Sequence, residues 1–282
     1  MARIGLFQVD NTMSGDVRER QNVMLKMAES CLKDGADLVF FPECFQYAAT
    51  ELSPLTLSET YAAEWKKRCS ALAKKYRAYV VPWDYCIGDG GKVYNSSYIL
   101  NREGDFVGRY DKCNLTYSEI MKGIALGESI PVFDLDVGKV GIMICFDNYF
   151  PEVAATLGNK GAELVLYPLY GDTLKPQWEL KMRTRAIDHG MHIASSQIDS
   201  KQKVSFTGMV DPEGNIITRL ENDGSWCTVD VDLKKRTVTN TWTNKQAEYL
   251  RDYLHKCRNP RAFTDLADVG APTKEWDEIF IK

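Results

Sequence analysis

The sequence predicts an α/β fold in which two mixed β-sheets pack face to face with helices outside, and three observations carry that expectation. Short apolar runs that read as buried strands, at residues 4–9, 38–41 and 139–144, alternate with stretches of helical periodicity. Gly35-Ala-Asp-Leu-Val-Phe-Phe-Pro42 is echoed by Gly161-Ala-Glu-Leu-Val-Leu-Tyr-Pro168, and Arg3-Ile-Gly-Leu-Phe7 more weakly by Lys139-Val-Gly-Ile-Met143. In each half a strand, a helix and Gly-Ala lead to a second strand ending in proline, as two similar layers related by a pseudo-twofold would require. A chance likeness between two ordinary βαβ units is the alternative reading of a single echo. Third, no low-complexity linker divides the 282 residues, which are enough to bury one large core.

Taken in order, residues 4–9 form the first strand. Gly15 and Asp16 then open a helix over about 17–34, with Met24, Ala28, Cys31 and Leu32 on one face and Gly35 at its end. The strand at 38–41 runs into Pro42-Glu43. Ser58 is placed to cap a second helix whose apolar stripe is Ala62, Trp65, Cys69, Leu72 and Tyr76. Strands at 79–87, 93–100 and 106–110 follow, and the turns Gly88-Asp-Gly-Gly91 and Arg102-Glu-Gly-Asp105 make them antiparallel in character. After the strand at 139–144, Asp147 and Asn148 are possible helix caps, and Pro151 and Glu152 suit a first helical turn. A helix over 176–188, stopped by Gly190, leads to strands at 192–198, 204–210, 216–220 and 226–231. Beyond residue 233 the pattern loosens, with a helix over 246–257 and an irregular tail. The organisation is therefore a domain over 1–233 and a C-terminal extension over 234–282.

Composition excludes several classes. The chain is 44% hydrophobic and 26% charged, with a net charge of −4 and both signs interspersed, so it has no electrostatic footprint for nucleic acid or an anionic membrane. No apolar run approaches a membrane span, and the first residues lack a signal-peptide layout. The eight cysteines, at 31, 44, 69, 86, 113, 145, 227 and 257, show no Cys-x-x-Cys pair or zinc-type spacing. A cytoplasmic setting without a disulfide framework is expected. His189 and His192 are three apart but straddle Gly190, so His189 reads as a helix-end cation, and no metal or cofactor is called for.

Three segments share one syntax, a hydrophobic strand ending in a reactive side chain. Leu38-Val-Phe-Phe-Pro-Glu43 delivers a carboxylate, Phe106-Val-Gly-Arg-Tyr-Asp-Lys112 an ammonium and Val140-Gly-Ile-Met-Ile-Cys145 a thiol. A cysteine at a strand-to-turn junction points out of the sheet, beside the N–H groups of the turn, which would favour thiolate over thiol. A cysteine nucleophile needs a base, which a carboxylate in an apolar pocket provides. The tetrahedral intermediate needs donors at its oxyanion, and Lys112 with the amide of Phe146 supplies them. Singly, each residue has a duller explanation: Cys145 as a small buried hydrophobe, Glu43 as a helix cap, Lys112 as a solvated strand end.

Together these segments resemble a known family. Phe-Pro-Glu43, Tyr110-Asp-Lys112-Cys-Asn-Leu115 and Gly141-Ile-Met-Ile-Cys145-Phe-Asp-Asn-Tyr-Phe-Pro-Glu152 are similar to the three signature blocks of the nitrilase superfamily of carbon–nitrogen hydrolases, in its order and at its spacings. Gly127-Glu-Ser-Ile-Pro-Val-Phe-Asp134, Trp178, Arg183-Thr-Arg-Ala-Ile-Asp188 and the Asp211-Pro-Glu-Gly214 turn extend the likeness over about residues 3–232. The resemblance implies a four-layer αββα sandwich that assembles as a homodimer or higher homo-oligomer. It also implies a Glu43-Lys112-Cys145 triad with a second glutamate near the lysine, for which Glu119 is the candidate and Glu128 a surface residue. One departure is Asn114, where the family often has histidine in a supporting role.

The expected activity is cysteine-dependent hydrolysis of a small-molecule amide or N-carbamoyl amine. Two alternatives are acyl transfer through the same cysteine and a non-catalytic binding protein that keeps the fold. Nitrile hydrolases of the family follow the cysteine with Trp-Glu; Phe146-Asp147 looks instead like the amidase and carbamoylase branches. Carbamoylases for D-amino acids carry an arginine pair just beyond, where this chain has Asn148 and Tyr149, so an α-carboxylate lacks its bidentate anchor there. Phe146, Asn148, Tyr149 and Trp178 are the expected substrate contacts. The extension carries Trp242, Tyr249, Tyr253, Phe263, Trp276 and Phe280, aromatics that suit docking on a partner subunit.

Overall fold

A computed structural model describes residues 1–10, 16–48, 50–171, 177–198, 207–222, 224–239 and 248–263. In chain order the elements are β1 (Ala2–Gln8), α1 (Val17–Lys33), β2 (Leu38–Phe40), α2 (Pro54–Leu57), α3 (Ala63–Tyr76), β3 (Tyr79–Val81), β4 (Trp83–Ile87), β5 (Val93–Leu100) and β6 (Phe106–Asp111). There follow α4 (Tyr117–Met121), β7 (Val132–Leu135), β8 (Gly138–Ile142), α5 (Pro151–Asn159), β9 (Leu164–Leu169), α6 (Gln177–His189) and β10 (His192–Gln197). The described chain closes with β11 (Thr207–Val210), β12 (Ile216–Leu220), β13 (Ser225–Val231), β14 (Val238–Thr239), β15 (Glu248–Tyr249) and α7 (Leu250–Cys257).

Two mixed sheets result. The first runs β13-β1-β2-β3-β5-β4 with β6 also paired to β5, and the second runs β12-β11-β10-β9-β8-β7. Ile4, Leu6, Leu38 and Phe40 of one sheet meet Val140, Ile142, Leu164 and Leu166 of the other in the central core. Because strand side chains alternate, the opposite faces are apolar too, and helices cover them. Met24, Ala28, Cys31, Trp65 and Cys69 of α1 and α3 pack on Phe7, Val39 and Phe41, while Val153, Leu157, Trp178 and Met182 of α5 and α6 pack on Val165, Tyr167 and Ile193. The expected four-layer αββα sandwich is what the chain forms.

The internal echo has a packing cause. β1-α1-β2 and β8-α5-β9 each place two parallel strands beside one another through a helix. The glycine shared by the two halves sits where that helix comes closest. A Cβ on Gly5 would lie 2.6 Å from the Cβ of Cys31, and one on Gly141 would lie 2.6 Å from Cδ2 of Leu157. The two halves join where Val9 and Ile198 form a parallel bridge.

Local details differ from the sequence reading in four places. Ser58 does not cap the second helix. Ser53 does, accepting from the Thr56 N–H with Pro54 at the first position, and the helix continues through a wide turn at Ser58–Ala62 into α3. The strand expected over 79–87 is divided at Pro82, which has no N–H for a continuous ladder. β7, read only as part of a motif, pairs antiparallel with β8. The last helix starts at Leu250, after β15, instead of at 246, a residue outside those described. Trp242, Trp276, Phe280 and Pro176 also lie outside the described residues. Among the described residues no helix is long and apolar enough to cross a membrane.

Candidate active site

Three strand ends converge where the two sheets meet. Glu43 follows β2, Lys112 continues directly from β6, and Cys145 stands three residues beyond the end of β8. The extended backbone projects each group past the last ladder bond. The residues that turn the chain there are strained, since Cys44 (φ 61°) and Cys145 (φ 44°) are non-glycine residues in left-handed conformations. Each costs on the order of 1–3 kcal/mol, which the packed surroundings must hold. From Cys145 the chain makes a tight 3-10 turn to Tyr149, and α5 begins only at Pro151.

Lys112 is the hub. Its Nζ lies 2.9 Å from Glu43 Oε1 and 2.9 Å from Glu119 Oε1, with its side chain 1% exposed. Burial alone would lower its pKa, but the carboxylates of Glu43 and Glu119 outweigh that and hold it well above an ordinary lysine. Glu119, which opens α4 from a capping box with Thr116, accepts from both the backbone N–H and the hydroxyl of Thr116 at 2.8 Å. Burial pushes its carboxyl up, yet Lys112 and these hydrogen bonds bring it below the ordinary glutamate value. Glu128 is exposed, as expected.

Asn95, which is outside the strand-end pattern, completes the network. Its Nδ2 donates to Glu43 Oε1 at 2.7 Å and to Glu119 Oε1 at 2.6 Å, while its Oδ1 accepts from Trp83 Nε1 at 2.6 Å. The indole thereby fixes which way the amide faces. A polar residue poorly suited to strands in the middle of β5 was the available signal. The other carboxylate oxygen of Glu43 accepts from the Tyr170 N–H at 3.1 Å.

The Cys145 thiol hydrogen-bonds with Glu43 and also receives the Tyr170 backbone N–H. Burial pushes the thiol well up, the Glu43 carboxylate pushes it further, and Lys112 only partly opposes them. The resting group is thus a neutral thiol beside a carboxylate, which corrects the expectation that the turn alone would favour thiolate. Desolvation outweighs the turn dipoles here.

Asp147 and Asn148 do not cap α5; Phe150 occupies the cap position without a side-chain bond. Asp147 is fully buried instead, accepting from the Ile144 N–H at 2.9 Å, the Tyr110 hydroxyl at 2.6 Å, and the Asn114 N–H and Nδ2 at 2.9 and 3.0 Å. It ties the lysine segment to the cysteine turn, and Asn114 is part of that tie. His189 is not a helix-end cation either, because burial lowers its pKa.

A cavity of about 370 Å³ opens over this cluster. Glu43, Cys44, Lys112, Glu119 and Cys145 line it, together with Tyr47, Leu52, Pro54, Leu57, Tyr85, Ser118 and Lys122. Tyr47 and Tyr85 stack with rings 5.7 Å apart, and the Tyr47 hydroxyl donates to buried Asp84 at 2.7 Å, whose carboxyl burial pushes up to about 7. Of the four expected substrate contacts, none lines the described cavity. Trp178 is buried against Tyr149 and Tyr167, Asn148 is buried, and the rings of Phe146 and Tyr149 meet each other 5.1 Å apart. The three rings pack on one another and on Tyr167 beside the cysteine turn. The Tyr167 hydroxyl holds that turn directly, donating to the Cys145 carbonyl at 3.0 Å.

Comparison with known proteins agrees with this architecture. The chain is 29% identical over 227 residues to the omega-amidase NIT2 of Mus musculus, covering 74% of this chain and 81% of that protein. Its fold matches an amidase of the nitrilase superfamily from Nesterenkonia AN1 with a TM-score of 0.74 at 18% identity, over 94% of this chain and 97% of that one. It also matches Nit3 of Saccharomyces cerevisiae, a member of branch 10 of the nitrilase superfamily, with a TM-score of 0.72 at 24% identity, over 81% and 89% of the two chains. The carbon-nitrogen hydrolase profile matches residues 3–240, most of the chain, and this protein belongs to the carbon-nitrogen hydrolase family.

Proposed function

We propose that this chain hydrolyses the C–N bond of small primary amides or N-carbamoyl amines through a thioester on Cys145. One observation carries the reading: a neutral thiol, a carboxylate and a buried ammonium meet in one small cavity. Glu43 takes the thiol proton as Cys145 attacks the amide carbon, so thiolate forms only as the bond is made. The Lys112 ammonium and the amide of Phe146 receive the developing oxyanion. Glu43 returns the proton to the leaving nitrogen, then deprotonates the water that cleaves the thioester. Glu119 and Asn95 keep Lys112 and Glu43 in register throughout. The omega-amidase name of the Mus musculus relative fits a primary-amide substrate.

The test is an ammonia-release screen over primary amides, N-carbamoyl amines, N-carbamoyl-D-amino acids and nitriles. Amides or N-carbamoyl amines are expected to turn over fastest, with a Cys145 acyl adduct detectable by intact mass when water attack is slow. A nitrile or an N-carbamoyl-D-amino acid outpacing every amide and N-carbamoyl amine overturns the assignment.

For the assembly, our proposal is a homo-oligomer with the C-terminal extension at the interface. Exposed Tyr249, Leu254 and Phe263 of the extension, and Leu180 and Ile187 of α6, supply apolar surface that supports it. Deleting residues 260–282 is expected to lower the mass in solution to that of a smaller oligomer. An unchanged mass counts against the extension's role.

A further inference from the structure

We propose that Asp84 is a positioning residue: through the Tyr47 hydroxyl it fixes the aromatic wall of the cavity and so sets the affinity for the amide; this rests on the amidase reading above. Strand alternation puts Trp83, Tyr85 and Asn95 on the face of the sheet that meets the reacting groups. Asp84 points to the opposite face, among Cys69, Cys86 and Tyr98, and is fully buried. β4 is the edge strand, so the Tyr47 hydroxyl reaches round it to Asp84 Oδ1 at 2.7 Å. The Tyr85 N–H donates to the same oxygen at 2.8 Å, and Oδ2 accepts no hydrogen bond. A carboxyl buried in this way is costly, and what it holds in return is Tyr47.

Tyr47 bears on the ligand more than on Glu43. Its ring lines the cavity parallel to that of Tyr85, and Trp83 packs against it at 6.0 Å. The 3-10 turn Phe45–Tyr47 has other tethers, since Gln46 Nε2 donates to the Trp83 carbonyl at 2.8 Å and Arg20 to the Phe45 carbonyl at 3.3 Å. Glu43 is held by Lys112, Asn95 and the Tyr170 N–H. Loosening Tyr47 therefore shifts the wall and leaves the reacting groups in place, a change in KM more than in kcat.

The grip also depends on pH. Burial holds the Asp84 carboxyl at about 7, only partly opposed by the Tyr47 hydroxyl and the Tyr85 N–H. The groups around it, Tyr47, Cys69 of α3, Tyr98 of β5 and Cys86 of its own strand, are pushed up by burial and stay neutral there. Arg68 and Arg109, the cations that act on Cys69 and Cys86, are engaged by Gln21, Asn22 and Asp111. From the wide turn, Tyr61 meets the Tyr47 ring and Glu59 is exposed. Above about pH 7 Tyr47 donates to a carboxylate in a charge-assisted bond. Below it the proton sits on Oδ2, and Oδ1 accepts more weakly.

The experiment measures kcat and KM for the best uncharged amide of the screen at pH 6, 7 and 8, in wild type, Asp84→Asn and Tyr47→Phe. The wild-type KM is expected to fall about fivefold from pH 6 to 8. Both variants are expected to lose that fall, staying within about twofold of the wild-type KM at pH 6 across the range. A folding defect lowers the active fraction and with it kcat, so KM is the deciding readout. A wild-type KM that is flat from pH 6 to 8, or an Asp84→Asn protein that keeps the fall, overturns the role of Asp84 and leaves the amidase reading standing. No turnover of any amide or N-carbamoyl amine by the wild type overturns the amidase reading and this inference with it.

Discussion

Cys145→Ala is expected to reduce ammonia release by about four orders of magnitude or more, and Glu43→Gln to do nearly the same. The reason is the neutral resting state of the thiol. Burial and the adjacent carboxylate hold it protonated, so the nucleophile exists only when Glu43 removes the proton during attack. Neither residue works without the other, and Glu43→Gln combined with Cys145→Ala is expected to be no slower than Cys145→Ala alone. Among the remaining seven cysteines only Cys44 lines the same cavity, with its thiol against the Tyr85 hydroxyl, and individual replacement of the seven by serine or alanine is expected to leave a Cys145 acyl adduct detectable. The measurement is turnover of the best amide from the screen, with intact mass as the second readout. Near-wild-type turnover by Cys145→Ala would falsify the mechanism.

Lys112→Met is expected to remove activity and also to lower stability by about 3–5 kcal/mol, which is roughly 6–10 °C in thermal midpoint for a chain of this size. Lys112 is the cation shared by Glu43 and Glu119, both within 2.9 Å and all three largely buried. Without it, two carboxylates face each other in a desolvated site with Asn95, Tyr170, Thr116 and the Cys145 thiol as donors. The variant's pH dependence follows from the sign of the shift. In the wild type Glu119 titrates below an ordinary glutamate, so its contribution is present above the unfolded value and is lost as pH falls through the lowered one. In the variant burial raises Glu119 above its unfolded value once the lysine is gone, so stability is lost as pH rises through that range. The deficit should therefore narrow at acid pH. Adding Glu119→Gln should recover part of it at neutral pH, because one buried charge is gone. Equal deficits at pH 4.5 and 8 would count against this account of the cluster.

Much of this was legible in the chain. Two strand ends were readable because a buried parallel strand is a short apolar run, and Pro42 and Cys145 each stand where such a run stops; Lys112 instead ends β6, a half-exposed antiparallel strand. The two-layer repeat was readable from Gly5 and Gly141, whose missing side chains admit Cys31 and Leu157. Helix starts were less so. Ser53 and Ser58 both suit a cap, and only Pro54 at the first helical position, together with the packing of Leu57, decides between them.

By itself, the sequence determined the αββα layering and the delivery of Glu43, Lys112 and Cys145 to strand ends, since both depend on local hydrophobic periodicity and on residues adjacent in the chain. Glu119 as the second carboxylate was also within reach, seven residues from Lys112. Tertiary structure alone decided the rest. Asn95 and Trp83 join the site because β4, β5 and β6 bring their side chains beneath Lys112. Phe146, Asn148, Tyr149 and Trp178 lie beside the turn and outside the cavity, while Tyr47, Leu57 and Lys122 line it. The thiol's protonation state also belongs to the folded chain, because it is set by how much water the surrounding layers exclude, and no spacing along a sequence encodes that.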